Sequence, residues 1–304
     1  MFDWLYQLLG LVMRFIYNLV NNFGLSIIIF TVLVRVCLLP LVIKQQKSMA
    51  HMAKIQPAMQ ELQKKYQYDK EKLNEETAKL YQQNKINPMS SCLPLIIQMP
   101  ILFAIYGIIQ NPATYILLPG QQGISAAMAA LAGDNLARMT QLDVVAWVSN
   151  NMAEAATRLA DVTAQFQLTA ESFFMNFDFL GVNLGHVPGN VVMTQPLYWI
   201  FPILAALTTF LTSFISQKMN AKTQTADQAS QMKTMQYIFP LMTGYFCYIL
   251  PSAMGLYWIV GNILQLLQSF TLDRYVVHKE SNEIEVKAEQ KRLEKKEMKK
   301  KKKK

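Results

Sequence analysis

Charge is scarce in this 304-residue chain: Asp, Glu, Lys and Arg make up 16% of it, against roughly a quarter in soluble domains. Acidic residues are missing altogether from its long apolar runs, and histidine and cysteine occur three times each. Cys37, Cys92 and Cys247 fall inside or beside apolar segments without metal-ligand spacing, which argues against a disulfide framework or a zinc site and makes them packing residues. His51, His186 and His278 stand alone in hydrophilic segments, where solvent is the expected partner. A Walker loop, GxSxG, HExxH and a dinucleotide fingerprint are all lacking, so the expectation is a protein that is not an enzyme and needs no cofactor. The N-terminal stretch has no basic n-region and no small-residue cleavage site, and it carries Asp3 and Arg14, so it reads as retained.

What the chain has is apolar residues in blocks, 52% in all. About 20 such residues cross a hydrocarbon core, and five segments approach that: 23–43, 93–110, 196–216, 237–250 and 253–270. Only Pro251 and Ser252 separate the last two, which reads as a tight helical hairpin. Residues 1–22 carry apolar positions at Leu5, Leu8, Leu9, Val12, Ile16 and Leu19, the pattern of an amphipathic helix lying in the membrane interface. The expected fold class is therefore an all-α integral membrane protein: a five-transmembrane-helix core, a cytoplasmic helical hairpin and an N-terminal interfacial helix.

Lysine and arginine resist translocation and mark the cytoplasmic side. Residues 44–92 hold nine lysines against five acids, 217–234 hold three against one, and the tail from 271 holds thirteen basic residues against seven acids. The stretch 111–195 holds only Arg138 and Arg158 against six acids. An odd number of spans with the N-terminus outside gathers the three basic segments in the cytoplasm, giving a multi-pass plasma membrane protein with its C-terminus inside. The linkers are then 44–92, 111–195 and 217–236, and the tail 271–304.

In the first linker Met49, Met52, Ile55, Met59, Leu62 and Tyr66 form one apolar stripe, and Leu73, Leu80 and Tyr81 a thinner one on a second helix. Residues 67–70 are the turn between them, and Pro57 is expected to kink or break the first helix. Two readings stand: the stripes pack on each other, or the methionine-rich one re-packs against varied apolar partners, as a flexible thioether chain permits. The alanine-rich external stretch reads as short helices over the outer ends of the spans. The tail, ending in Lys299, Lys300, Lys301, Lys302, Lys303 and Lys304, is too polar to bury a core and is suited to RNA phosphates or anionic lipid headgroups.

Arg35 stands inside the apolar run TVLVRVCLLPL, where a charge near the bilayer centre costs roughly 2.5–3.5 kcal/mol. It lies nine residues before Lys44, about 13 Å along a helix, which stretches snorkelling to the inner interface. The alternative is a hydrophilic cavity open to the cytoplasm, with Gln98, Thr208, Thr212, Asn262 and Gln265 as polar lining. With no Asp, Glu or His in the spans, such a site suits an anionic group from outside the protein and not a proton relay.

These residues resemble the YidC family of membrane protein insertases. The resemblance rests on GLSIIIFTVLVRVCLLPLVIKQQKSMAHMAKIQPAMQELQKKY, NPMSSCLPLIIQMPILFAIYGII, FLGVNL, YWIFPILAALTTFLTSFISQKM and MQYIFPLMTGYFCYILPSAMGLYWIVGNILQLLQ. It implies a five-span core around a groove open to cytoplasm and lipid, with Arg35 as its positive charge. It further implies that nascent membrane proteins, ribosomes, membrane lipids and a Sec-type translocon are partners, that the hairpin receives substrate and that the basic tail meets the ribosome. Residues 111–195 are longer than the family pattern. A solute transporter or channel is the alternative function, but inverted repeats and midplane helix breaks, which it would require, are not evident.

Overall fold

The computed structural model describes residues 3–84, 93–133, 139–220 and 226–272. It is mostly helical. In chain order come α1 (Asp3–Val20), α2 (Phe23–Lys65), α3 (Lys70–Gln83), α4 (Leu93–Gln110), a π-helical turn (Ala113–Leu117), α5 (Ile124–Ala132), α6 (Gln141–Asn150), α7 (Met152–Arg158) and α8 (Ala160–Phe166). Then follow β1 (Asp178–Phe179), β2 (Val182–Asn183), α9 (Pro188–Val191), α10 (Ile200–Asn220), α11 (Ala226–Ile249) and α12 (Ser252–Leu272). Two helical stretches among the described residues, Phe23–Ser48 and Pro196–Lys218, are long and apolar enough to cross a membrane, and Ile96–Gln110 is a shorter apolar helix.

Helices overrun the apolar segments. α2 does not stop near Ile43 but continues past Pro40 and Pro57 to Lys65. Residues 44–65 are rich in Lys, Gln, Met and Ala, all good helix formers, and hydropathy marks where lipid would end, not where a helix must. Likewise α10 runs to Asn220 and α11 begins at Ala226, so much of the 217–236 linker is helical. The chain also departs from an all-α expectation by one antiparallel strand pair.

The described residues divide into two compact units, those within 1–37, 95–213 and 234–264 and those within 38–94, 214–233 and 265–304. In the first unit the described part of 111–195 is more than loose helices. Leu131, Val145, Val148, Phe173 and Phe177 share one core with Phe23, Phe30, Ile105 and Ile109, and Phe23 meets Phe177 edge to face. α1 packs against the π-helical turn: Gly10 leaves room only for Tyr115, and Gly107 of α4 for Tyr6. Its buried face is Gly10, Met13, Ile16 and Tyr17. The stripe read from sequence is thus rotated, for Leu8 and Leu19 are exposed and form a row with Trp4, Leu11 and Phe15. Asp3, Gln7, Arg14 and Asn18 line one face of α1, and the apolar remainder is shared between the buried face and the exposed row.

Asp178 pairs with Asn183 and Phe179 with Val182, leaving a two-residue turn of Leu180 (φ 51°) and Gly181 (φ 82°). Positive φ at both positions is the type I′ geometry, where Asn-Gly is usual; a left-handed leucine costs roughly 1–2 kcal/mol. The hairpin is tied to the junction of α1 and α2. Asn176 N donates to Tyr17 Oη (2.9 Å), Phe23 N donates to Asn176 O (2.9 Å), and Asn22 Nδ2 donates to Asp178 O (2.8 Å).

In the second unit Asp69 caps α3 by accepting from Lys72 N at 3.0 Å, and Lys79 bridges Glu75 and Glu76 on its surface. Thr77 Oγ1 of α3 lies 3.6 Å from Met59 Sδ of α2.

Candidate functional site

Four apolar helices of the first unit carry polar side chains that find each other. Arg35 of α2 is half-buried, and its Nη2 lies 3.4 Å from the point a Cβ would occupy at Gly261 of α12. Glycine there lets the guanidinium lie close along the helix backbone. Tyr257, one turn earlier on the same face of α12, is buried and within electrostatic reach of Arg35. The hydroxyl of Tyr257 accepts from Gln98 Nε2 of α4 at 2.9 Å.

A second polar node joins α12 to α10. Asn262 Nδ2 donates to Thr208 Oγ1 (3.1 Å) and Thr209 Oγ1 (2.9 Å). The Thr208 hydroxyl spends its own hydrogen on Leu204 O (2.7 Å) and so offers Asn262 a lone pair. Thr212 is buried, and its hydroxyl donates to Thr208 O (2.8 Å). The structure thus brings together Arg35, Gln98, Asn262, Thr208 and Thr212 of the expected groove within one unit, in two nodes sharing α12. Gln265 belongs to the second unit, where its carbonyl accepts from Ser269 Oγ. Tyr257 and Gly261 escaped sequence reasoning, although both lie in the motif GLYWIVGN. A tyrosine in an apolar run reads as packing, and a glycine gives no sign of what approaches it.

On the hairpin, Ile55 and Met59 are buried and Met52 and Leu62 half-buried. The first two are therefore interior residues, and Met59 meets Thr77 of α3. The side chain of Met49 and the whole of Lys299–Lys304 lie outside the described residues.

His186, expected to be solvated, is half-buried instead. Its Nδ1 sits 3.2 Å from the Tyr198 hydroxyl. Its carbonyl accepts from both the backbone N (2.9 Å) and Oγ (2.8 Å) of Ser252, the first residue of α12. Burial pushes the His186 pKa below its ordinary value, against a smaller upward pull from Asp143 and Asp178. Among the described residues no three His, Cys, Asp or Glu side chains gather as a metal site.

The family model described as 60Kd inner membrane protein matches residues 15–280. The membrane protein insertase YidC of Fusobacterium nucleatum subsp. nucleatum is 31% identical over 272 residues, covering 88% of this chain and 96% of that protein. Membrane protein insertase YidC 2 of Listeria innocua is 34% identical over 282 residues, 91% of this chain and 73% of its own. A crystal structure of an active YidC insertase with its first transmembrane domain resolved aligns with 88% of this chain at 23% identity and a TM-score of 0.49; the chain spans 46% of that one.

Proposed function

Because the chain belongs to the YidC family of membrane protein insertases, we propose that it carries nascent membrane proteins into the bacterial cell membrane without covalent chemistry. The basic segments face the cytoplasm and the N-terminus lies outside, as the lysine and arginine distribution argues. A short polar segment of the substrate enters a hydrophilic groove between α2, α4, α10 and α12 and places its acidic residues near Arg35. Its apolar helix slides along the lipid-facing sides of α10 and α12 and leaves into lipid. Burial of that helix in the hydrocarbon drives release.

The observation that carries this reading is a guanidinium within electrostatic reach of Tyr257, whose hydroxyl accepts from Gln98, on helices whose apolar segments contain no Asp or Glu. Its positive charge offsets part of the roughly 2.5–3.5 kcal/mol that a carboxylate near the bilayer centre costs. The hairpin meets substrates first. Ile55 and Met59 are buried in the conformation described, so reception there requires α2 and α3 to part or the half-buried Met52 and Leu62 to serve. Ribosome contact by the tail and cooperation with a Sec-type translocon belong to the same reading.

The test is reconstitution into liposomes with protease protection of a single-span substrate bearing an acidic external tail. Arg35→Ala is expected to lower the insertion rate at least about tenfold, the equivalent of roughly 1.4 kcal/mol, with Arg35→Lys close to wild type. Equal protection by all three proteins would remove the electrostatic step, and protection no better than empty liposomes would remove the insertase reading.

A further inference from the structure

The β1–β2 hairpin is built from polar to apolar. At its base Asp178 faces Asn183, next Phe179 faces Val182, and at the tip stands Leu180. That leucine is 85% exposed although it occupies a left-handed position that Asn would fill without strain. A strained, exposed apolar residue at a turn tip runs against local preference, which points to a role outside the fold.

The ties to α2 place the hairpin beside the start of that helix. Asp178 O accepts from Asn22, which also caps α2 by accepting from Leu25 N at 3.0 Å. One residue further along the hairpin, the ring of Phe179 lies across Gly24, so close that a Cβ there would overlap it. Residues 178 and 179 thus lie against the first turn of α2, where its apolar run begins, and Leu180 is the next residue along the hairpin. From that turn Leu25, Ile29, Val32, Leu33 and Val36 continue as exposed apolar surface, the surface a spanning helix offers to lipid.

We propose that Leu180 is an anchor for the outer leaflet, seated at the boundary of headgroups and acyl chains. The exposed row of α1 (Trp4, Leu8, Leu11, Phe15, Leu19) provides a second contact with the same interface, and both meet at Asn176, which bonds to Tyr17 and Asn21 of the α1 end and to Phe23. Together they set the depth of α2. Arg35 is eleven residues beyond Gly24, about 16 Å along the helix, so a tip held at the outer boundary keeps the guanidinium near the middle of a core about 30 Å thick. This last consequence rests on the insertase reading; the anchor itself does not.

The depth of residue 180 can be read directly. In full-length protein carrying Cys37→Ser, Cys92→Ser and Cys247→Ala, Leu180→Cys is labelled with an environment-sensitive nitrobenzoxadiazole dye and reconstituted in phosphatidylcholine–phosphatidylglycerol vesicles. Gln122→Cys, on the exposed turn before α5, serves as the aqueous reference. Expected for the label at 180 are blue-shifted emission, strong quenching by lipids spin-labelled near the headgroup, and iodide quenching severalfold weaker than at 122. Iodide access equal to that at 122 overturns the anchor, and shielding from both quenchers overturns it in favour of a protein contact. Leu180→Asn, which suits the turn, is expected to keep or raise thermal stability in detergent yet lower insertion severalfold. Because the quenching experiment involves no substrate, failure of the anchor and failure of the insertase reading are distinguished.

Discussion

Tyr257 offers its hydroxyl to Gln98 while lying within electrostatic reach of Arg35, so a single side chain couples α4, α12 and the charge. Removing the hydroxyl leaves the Gln98 amide without that acceptor in apolar surroundings. Polar pairs between membrane helices couple by about 0.6 kcal/mol on average and at most about 1.7. Tyr257→Phe is therefore expected to lower unfolding stability in detergent by about that amount, whereas Tyr257→Phe combined with Gln98→Leu should recover part of it. A double-mutant cycle with additive losses would mean the pair contributes nothing. Gln98, Asn262 and Thr208 stand out in the sequence because a polar residue in an apolar run needs an explanation, and each finds a hydrogen-bond partner on another helix. The roles of Gly261 and Leu180 do not, since each depends on a contact or a backbone angle that no composition reports.

At the scale of elements, apolar runs located helices well and their ends poorly. The runs at 23–43 and 237–250 sit on helices that extend far into polar sequence, because membrane thickness limits hydropathy while propensity and packing limit helices. Nor could sequence foresee how α12 begins. Its first amides are satisfied by the loop after β2: Ser252 N donates to His186 O and Ala253 N to Leu184 O, which supplies partners that a helix N-terminus lacks. His186 is the titratable member of this cap, faced by Asp143 and Asp178 and touching Tyr198. Its folded pKa is lowered by burial, so the unfolded chain binds the proton more readily. Stability is then full above the ordinary histidine value of about 6.5 and declines as pH falls through it toward the lowered folded value. Melting temperature measured in detergent from neutral to mildly acidic pH should fall for wild type. His186→Gln should remove that component of the slope; an unchanged slope would exclude His186 as its source.

For the whole molecule the decisive quantity is where the net charge of +9 resides. Most of the excess lies in the tail and the first linker, and the tail's terminal lysines suit RNA phosphate or anionic headgroups through an attraction of about 1 kcal/mol per residue near a charged surface. Two accounts of the protein assign opposite weights to this charge. If the chain merely tethers ribosomes at the membrane, deleting residues 279–304 abolishes function and Arg35→Ala changes nothing. If it is an insertase whose catalytic charge is Arg35, the deletion weakens ribosome cosedimentation in a salt-dependent way but leaves insertion of a short, fully synthesised substrate into liposomes near wild type. Arg35→Ala does the reverse. Both proteins in both assays give a two-by-two outcome, and only the crossed pattern fits a molecule whose tail recruits substrate while its intramembrane arginine lowers the barrier. Loss of liposome insertion on deleting the tail alone would show that recruitment and translocation share one positive surface, and the division of labour between tail and groove would have to be abandoned.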